Sequence, residues 1–240
     1  MQKAVKVIRI HKIFSVKVLM LIIAVLFFAG CGIKSYPYLS PPQDNSIAEP
    51  LEGDKLFKFF NYTGNNTNYF LGYEIYYKFY STDIDSSQYE SETDIIELNP
   101  KEEKLISLGY KRLYNKIDVF SKPLIPISVD LAEQAVSIEI DFRFLTDTIY
   151  PTISYAENTI EAARYVQKTD DVQDTVYNFN NEAISGEYSD ISSTIFTEDA
   201  ETLYVSLYVL SYGKYEVFNE LFSDAAHLGK ITVETENVLF

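Results

Sequence analysis

The chain has 240 residues, of which 47% are hydrophobic, and it carries 20 Lys and Arg against 35 Asp and Glu for a formal net charge of −15. That length suffices to bury one sizeable core, and the acidic balance argues against nucleic acid as a partner, because phosphate binding depends on clustered Lys and Arg. With two His and a single Cys, an ordinary zinc centre and an internal disulfide framework are excluded as well.

At the N-terminus, Lys3, Lys6, Arg9, Lys12 and Lys17 precede an apolar run over residues 18–28, and no acidic residue occurs among the first 30. This is the charge asymmetry of a secretory leader. A membrane-spanning helix needs roughly 20 apolar residues, which the run does not reach, so cleavage is expected rather than a permanent span. Ala29 and Gly30 supply small side chains just before Cys31, the only thiol. The arrangement resembles that of bacterial lipoprotein precursors, in which such a lipobox precedes a cysteine that is acylated and becomes the mature N-terminus. Phe28 stands where that family usually has an aliphatic residue.

The resemblance implies a protein held at the cell envelope by acyl chains on Cys31, each buried methylene contributing about 0.8 kcal/mol. Gly32 rather than Asp follows the cysteine, which by the same resemblance implies an outer-membrane destination. Ordinary cleaved secretion and an uncleaved anchor are the alternatives. Without residues 1–30 the chain keeps 15 basic and 35 acidic residues, a net −20. Such a charge keeps an envelope protein soluble and repels anionic lipid surfaces; a preference for a cationic partner is the sharper reading.

Residues 31–50 carry Pro37, Pro41, Pro42 and Pro50 among Ser, Gln and Asn and read as a semi-extended tether. At about 3.1 Å per residue it could lift the folded part by up to about 60 Å.

The remainder, 51–240, reads as a single all-β domain, mainly antiparallel, with one or two short helices. The chain has 20 Tyr and 16 Phe, and these fall in period-two runs. The folded part begins near Lys55. Over 69–80, Tyr73, Ile75, Tyr77 and Phe79 share one face and Glu74, Tyr76, Lys78 and Tyr80 the other, as a half-buried strand requires. Residues 136–144 alternate in the same way. Residues 203–212 are apolar on both faces and read as a central strand, with 231–235 pairing beside it as the last strand. A helix is expected over 100–108, with Asn99 as N-cap, Pro100 at the first position and Gly109 closing the end. A further helical turn is expected within 217–226.

Leu71-Gly72-Tyr73-Glu74-Ile75-Tyr76-Tyr77-Lys78 resembles the third strand of fibronectin type III domains, and Thr202-Leu203-Tyr204-Val205-Ser206-Leu207-Tyr208-Val209 with Ile231-Thr232-Val233-Glu234-Thr235 is similar to their last two strands. That likeness implies a fibronectin type III or immunoglobulin-like sandwich enlarged by insertions, with Tyr204 as a tyrosine-corner candidate. Tyr212-Gly213 and Leu228-Gly229-Lys230-Ile231 are similar to endings seen in other bacterial lipoproteins, a likeness that adds no chemistry.

The catalytic inventory is thin. His11 leaves with the leader, so nucleophilic catalysis with a histidine base would rest on His227, which reads as a structural loop residue. Glu139 and Asp141 would lie about 7 Å apart on one strand face, a spacing compatible with glycan cleavage, but Ser137 and Arg143 beside them make a solvated surface the simpler reading. No cofactor is required. Calcium is the one ion the oxygen-rich composition could hold: residues 83–94 place Asp83, Asp85 and Asp94 at EF-hand-like positions, although Gln88 occupies the position of the turn glycine, and a solvated loop is the plainer expectation. Asp170, Asp171 and Asp174 form a looser acidic group. Finally, Tyr76, Tyr80, Tyr204 and Tyr208 could form an aromatic binding face for glycan or protein; packing beneath a covering insertion accounts for the same rings.

The expectation is therefore a membrane-tethered, non-catalytic binding or structural module of a bacterial envelope. An enzyme acting on cell-wall glycan through a carboxylate pair, and a subunit of an envelope assembly, are the alternatives.

Overall fold

A computed structural model describes residues 37–51, 53–81, 87–143, 150–180, 184–191, 202–216 and 219–234. Two antiparallel sheets face each other, and short helices cover the outer side of one of them. The first sheet runs β1 (Leu56–Phe60), β6 (Ser137–Asp141), β7 (Thr152–Tyr155), β8 (Asn158–Val166) and β4 (Tyr114–Asn115), with β9 (Thr175–Tyr177) also paired to β8. The second is built on β2 (Phe70–Ser81) and β10 (Thr202–Tyr215). β3 (Lys111–Arg112) and β5 (Ile125–Pro126) pair with β2, while β11 (Asn219–Phe222) and β12 (Ala226–Glu234) pair with β10. The fold is all-β and sandwich-like, as expected.

Alternation explains where the core sits. Tyr73, Ile75, Tyr77 and Phe79 of β2 and Leu203, Val205, Leu207 and Val209 of β10 point toward the first sheet. There they meet Phe57 and Phe59 of β1, Ile138 and Ile140 of β6, and the buried rings of Phe142 and Phe179. β2 and β10 pair from Leu203 opposite Ser81 to Gly213 opposite Phe70, so β10 is the central strand that its two apolar faces call for, and β12 lies on its other side. At Gly72, φ is +149° and an added Cβ would meet the Ile125 carbonyl oxygen at 2.0 Å; only glycine lets β5 approach that closely.

The opposite face of β2 and β10 is not open. Helix α1 (Ser87–Leu98) and helix α2 (Glu102–Ser107) lie over it and close a second apolar cluster of Tyr76, Tyr80, Tyr110, Tyr208, Leu210, Ile96 and Leu105. α2 falls inside the expected 100–108, but its N-cap is Lys101 rather than Asn99. Gly109, with φ +89°, closes its end. A third helix, α3 (Val129–Ala132), is a single turn.

Three expectations are corrected. The stretch 87–94 is helical rather than a loop, because Ser87 and Glu90 have capping-box spacing and Tyr89, Thr93 and Ile96 recur on one helical face. The helical turn expected within 217–226 is instead strand β11, paired to Tyr212–Tyr215 of β10. From Pro37 onward the segment expected to hang as a tether belongs to the folded body. Leu39 is fully buried, Ser40 and Asn65 exchange hydrogen bonds of 2.7 and 2.9 Å, and Ala48 bridges to Lys58. The burial of one leucine and these backbone pairings outweigh the extended bias of the prolines.

Candidate functional site

The covering helices create both a buried polar network and a cleft beside it. Ser206 projects outward from β10, between Tyr204 and Tyr208. β12 sets His227 opposite Tyr208 and brings its Nε2 to 3.2 Å from the Ser206 Oγ and 3.1 Å from the Tyr89 hydroxyl of α1. The Tyr110 hydroxyl donates to Ser206 Oγ at 3.3 Å and lies 3.0 Å from the Tyr80 hydroxyl. Tyr80 in turn donates to Glu92 at 2.7 Å, and Glu92 is paired with Lys78 at 2.5 Å. A chain of hydroxyls thus links the Lys78–Glu92 ion pair to His227.

Electrostatics fix the protonation states along this chain. Burial, helped by the Lys230 ammonium and opposed by a backbone hydrogen bond with Gly229, lowers His227 to about 4; the imidazole is neutral near pH 7. Burial raises the Tyr80, Tyr89 and Tyr208 phenols far above their ordinary range and brings Tyr110 to about 12. Burial also works against the charge of Glu92, but hydrogen bonds from Lys78, Gln88 and Tyr80 hold that carboxyl below its usual value.

Ser206 beside His227 has the distance of a nucleophile–base pair. The serine is nevertheless fully buried, and its Oγ is engaged with Tyr110 as well as His227. Glu74 and Glu102 are both raised, each chiefly by burial, Glu74 to about 7. Glu74 is sealed from solvent and held by Arg112 through two hydrogen bonds of 2.5 and 3.1 Å, whereas Glu102 accepts from Tyr76. This pair ties α2 and β3 onto β2.

The cleft has two lobes that meet at His227. One, of about 470 Å³, is walled by Asp44, Glu49, Glu97, Ile96, Tyr208 and His227, with Pro41, Ile47 and Ala225–Ala226 completing it. The other, of about 580 Å³, includes Glu49, Tyr89, Glu97, Tyr204, His227 and Lys230. In this second lobe the Lys230 ammonium sits 4.3 Å from the Tyr89 ring centre and 4.4 Å from that of Tyr204. Gly229, with φ +105°, lies where a Cβ would meet Pro50 at 2.8 Å, so glycine is what lets the 41–50 segment close against β12 as the cleft's wall. The Tyr208 hydroxyl is buried and makes no hydrogen bond of ordinary geometry among the described residues, although the Thr93 side chain lies close enough to oppose the upward shift of its phenol.

The aromatic face expected at Tyr76, Tyr80, Tyr204 and Tyr208 is brought together, but beneath the helices. Tyr76, Tyr80 and Tyr208 are only 2–3% exposed, so they are not an open docking surface. Tyr204, the corner candidate, is half-buried against Lys230. His227 belongs to strand β12 rather than a loop. Glu139 pairs with Lys58 at 2.7 Å and Asp141 with Arg143 at 2.7 Å, the solvated-surface arrangement. Asp94 is an exposed residue in the middle of α1, while Asp83, Asp85 and Cys31 lie outside the described residues. Among the described residues no three His, Cys, Asp or Glu side chains are placed to share a metal ion, and no helix is long and apolar enough to cross a membrane. Ser206, Tyr89, Tyr110 and Glu92 escape sequence reasoning as site residues; the capping-box spacing at Ser87–Glu90 is the signal that could have found Tyr89 and Glu92. Compared with protein-family models, with curated proteins and with solved structures, the chain has no match.

Proposed function

We propose that this chain is a lipid-anchored, non-catalytic binding module of a bacterial envelope, held at the outer membrane through Cys31 and taking its ligand in the cleft around His227. The observation that supports a binding role is the cleft itself, a cavity of about 470 Å³ walled by Ile96, Tyr208 and His227 and rimmed by Asp44, Glu49 and Glu97. Ligand sites combine this size with apolar and aromatic walls and few polar groups, and the only serine within reach of the only histidine in the described region is sealed. The anchor reading is supported by the basic leader, the short apolar run and the small residues before Cys31.

Two measurements in intact cells test the proposal together. Labelling with an alkyne fatty acid should mark the wild-type chain and not Cys31→Ser, and unlabelled wild type sinks the anchor. A photoreactive residue in place of exposed Asn45, on the cleft rim, should capture a discrete partner or ligand. Turnover of cell-wall glycan by the purified chain would instead favour the enzyme alternative.

A further inference from the structure

We infer that the second lobe of the cleft takes an extended peptide, with apolar side chains at alternate positions and basic flanks, that adds to β12 as a further strand. The inference rests on the reading of this cleft as the ligand site and names what it takes. Its first support is a comparison of the strand edges. β3, β4 and β5 are two residues long, β9 three and β11 four, and short edge strands are one way in which sheets avoid pairing with other chains. The free side of β1 is met by Ala48, whose N–H donates to the Lys58 carbonyl at 2.8 Å. β12, by contrast, is nine residues long, contains no proline and pairs with β10 alone. Among the described residues no backbone group bonds to its other edge.

The second support is the cavity. Gly229, Lys230, Ile231 and Thr232 all line the lobe of about 580 Å³. Successive strand side chains point to opposite faces, so consecutive residues border one cavity only where it runs along the strand's edge and reaches the backbone. Pro50 packs over Gly229. The turn that follows, in which the Asp54 N–H donates to the Leu51 carbonyl at 2.8 Å, supplies the facing wall with Leu51, Asp54 and Lys55. What fits a row of free N–H and C=O groups is another backbone of the same spacing. Leu51 is 78% exposed and gives the apolar side chains of such a strand a surface to cover. The flanks follow from charge: Glu49, Asp54 and Glu97 on the walls outnumber Lys55 and Lys230, and the Lys230 ammonium is already engaged with the Tyr89 and Tyr204 rings.

The test is fluorescence anisotropy, with the full chain in detergent micelles titrated into labelled acetyl-Lys-Val-Thr-Val-Thr-Val-Lys amide and into the same peptide with Glu in place of both Lys. In a strand the N–H and C=O of one residue point to the same side, so N-methylation of the valines strips the donors from one edge of the peptide and N-methylation of the threonines from the other. Saturable binding of the Lys-flanked peptide is expected, with a loss of roughly tenfold or more from one of the two methylation patterns and about fivefold weaker binding of the Glu-flanked peptide at low salt. Leu51→Asp should weaken binding about fivefold with an unchanged thermal midpoint. No saturation by about 1 mM, equal affinity of the Glu-flanked peptide, full affinity of both methylated forms, or full affinity in Leu51→Asp overturns the inference. So does a dimer of the chain without peptide, seen by sedimentation and lost in Leu51→Asp, which would give the edge to a second copy. Should the Asn45 photoprobe still capture a discrete partner when the peptide fails, the strand-addition assignment falls while the binding-module reading stands; if the probe also captures nothing, both fall.

Discussion

Toward the first sheet, β2 presents Tyr73, Ile75, Tyr77 and Phe79; toward the helices it presents Glu74, Tyr76, Lys78 and Tyr80. Both faces are buried, yet their polar atoms are treated differently. On the inner face they close on one another: the Tyr73 hydroxyl donates to Asn61 at 2.7 Å, and the Tyr77 hydroxyl donates to Asp190, which also receives two hydrogen bonds from Arg164. On the outer face the hydroxyls form an open series that ends at a cleft, with Tyr208 left over. Polar groups that saturate each other serve uniqueness and stability; a series that ends at a cavity is where a ligand can add something.

The largest expected effect sharpens the inner half of that contrast. Arg164 and Asp190 are both fully buried and 2.7 Å apart. Asp190→Ala leaves the guanidinium without its counter-charge, which costs about 3–5 kcal/mol. Urea denaturation reads it directly, and a loss below about 1 kcal/mol would mean that water or another group reaches Arg164 and that the inner face is less closed than the hydrogen bonding implies.

The next effect belongs to the outer face and to pH. His227 is held at about 4 in the folded chain against an ordinary value near 6.5, so between those values the unfolded chain binds the extra proton. Stability from this residue is fully present above about pH 6.5 and is lost as pH falls toward 4, by about 3 kcal/mol. Glu74 works with the opposite sign. Its carboxyl is raised to about 7, so its contribution is fully present below about pH 4.5 and is lost as pH rises through 7. The two oppose each other between about 4.5 and 6.5, so the wild-type curve alone is uninformative. The difference in stability between wild type and His227→Gln isolates the histidine and should fall by about 3 kcal/mol on acidification from pH 7.5 to 4. A flat difference would show that the imidazole is solvated, and the network would lose its buried end.

Two tyrosines on the same outer face should separate more finely. Tyr110 bridges Tyr80 and Ser206, and Tyr110→Phe leaves both with a lost partner at a cost of about 1–2 kcal/mol. Tyr208→Phe removes a hydroxyl that makes no hydrogen bond of ordinary geometry, and its expected effect on stability is about zero or slightly favourable. Equal losses in the two variants, read from thermal midpoints, would mean that Tyr208 is satisfied after all.

Much of the architecture was legible because period-two patterning speaks directly of burial: the faces of β2, β6 and β10 follow from single side chains such as Tyr73, Ile138 and Val205. The site was not, for a physical reason. Alternation tells which residues share a face and is silent on what lies above it, so for Tyr76, Tyr80 and Tyr208 a covered layer was the plainer reading, with an open binding face as the sharper one. The cover itself was hidden because residues 87–98 mix acidic, hydroxyl and apolar side chains in a pattern that reads as an ion-binding loop when carboxylates are counted, and as a helix when Ser87–Glu90 and Tyr89–Ile96 are spaced along an axis. Leu39 and Ser40 escaped for a related reason: a proline-rich composition reports backbone bias, while docking onto the domain is decided by one buried leucine and the pairing of Ser40 with Asn65.

The smallest expected effect bears on the rival reading of the first sheet's solvent face. Glu139 and its partner Lys58 are each about 40% exposed, and their 2.7 Å contact competes with water. Exposed pairs of this kind contribute roughly 0.2–1 kcal/mol, so Glu139→Ala should shift stability by less than about 1 kcal/mol and leave any ligand affinity of the cleft untouched. The shallow cavity near it, lined by Glu139, Ser154 and Tyr155, holds no second carboxylate opposite Glu139, because β6 gives Asp141 to Arg143 instead. Were Glu139→Ala to abolish glycan cleavage by the purified chain, the division of labour between a stabilising interior and a ligand-taking helical side would be wrong, and the chemistry would lie on the face where Glu139 and Asp141 are paired with Lys58 and Arg143.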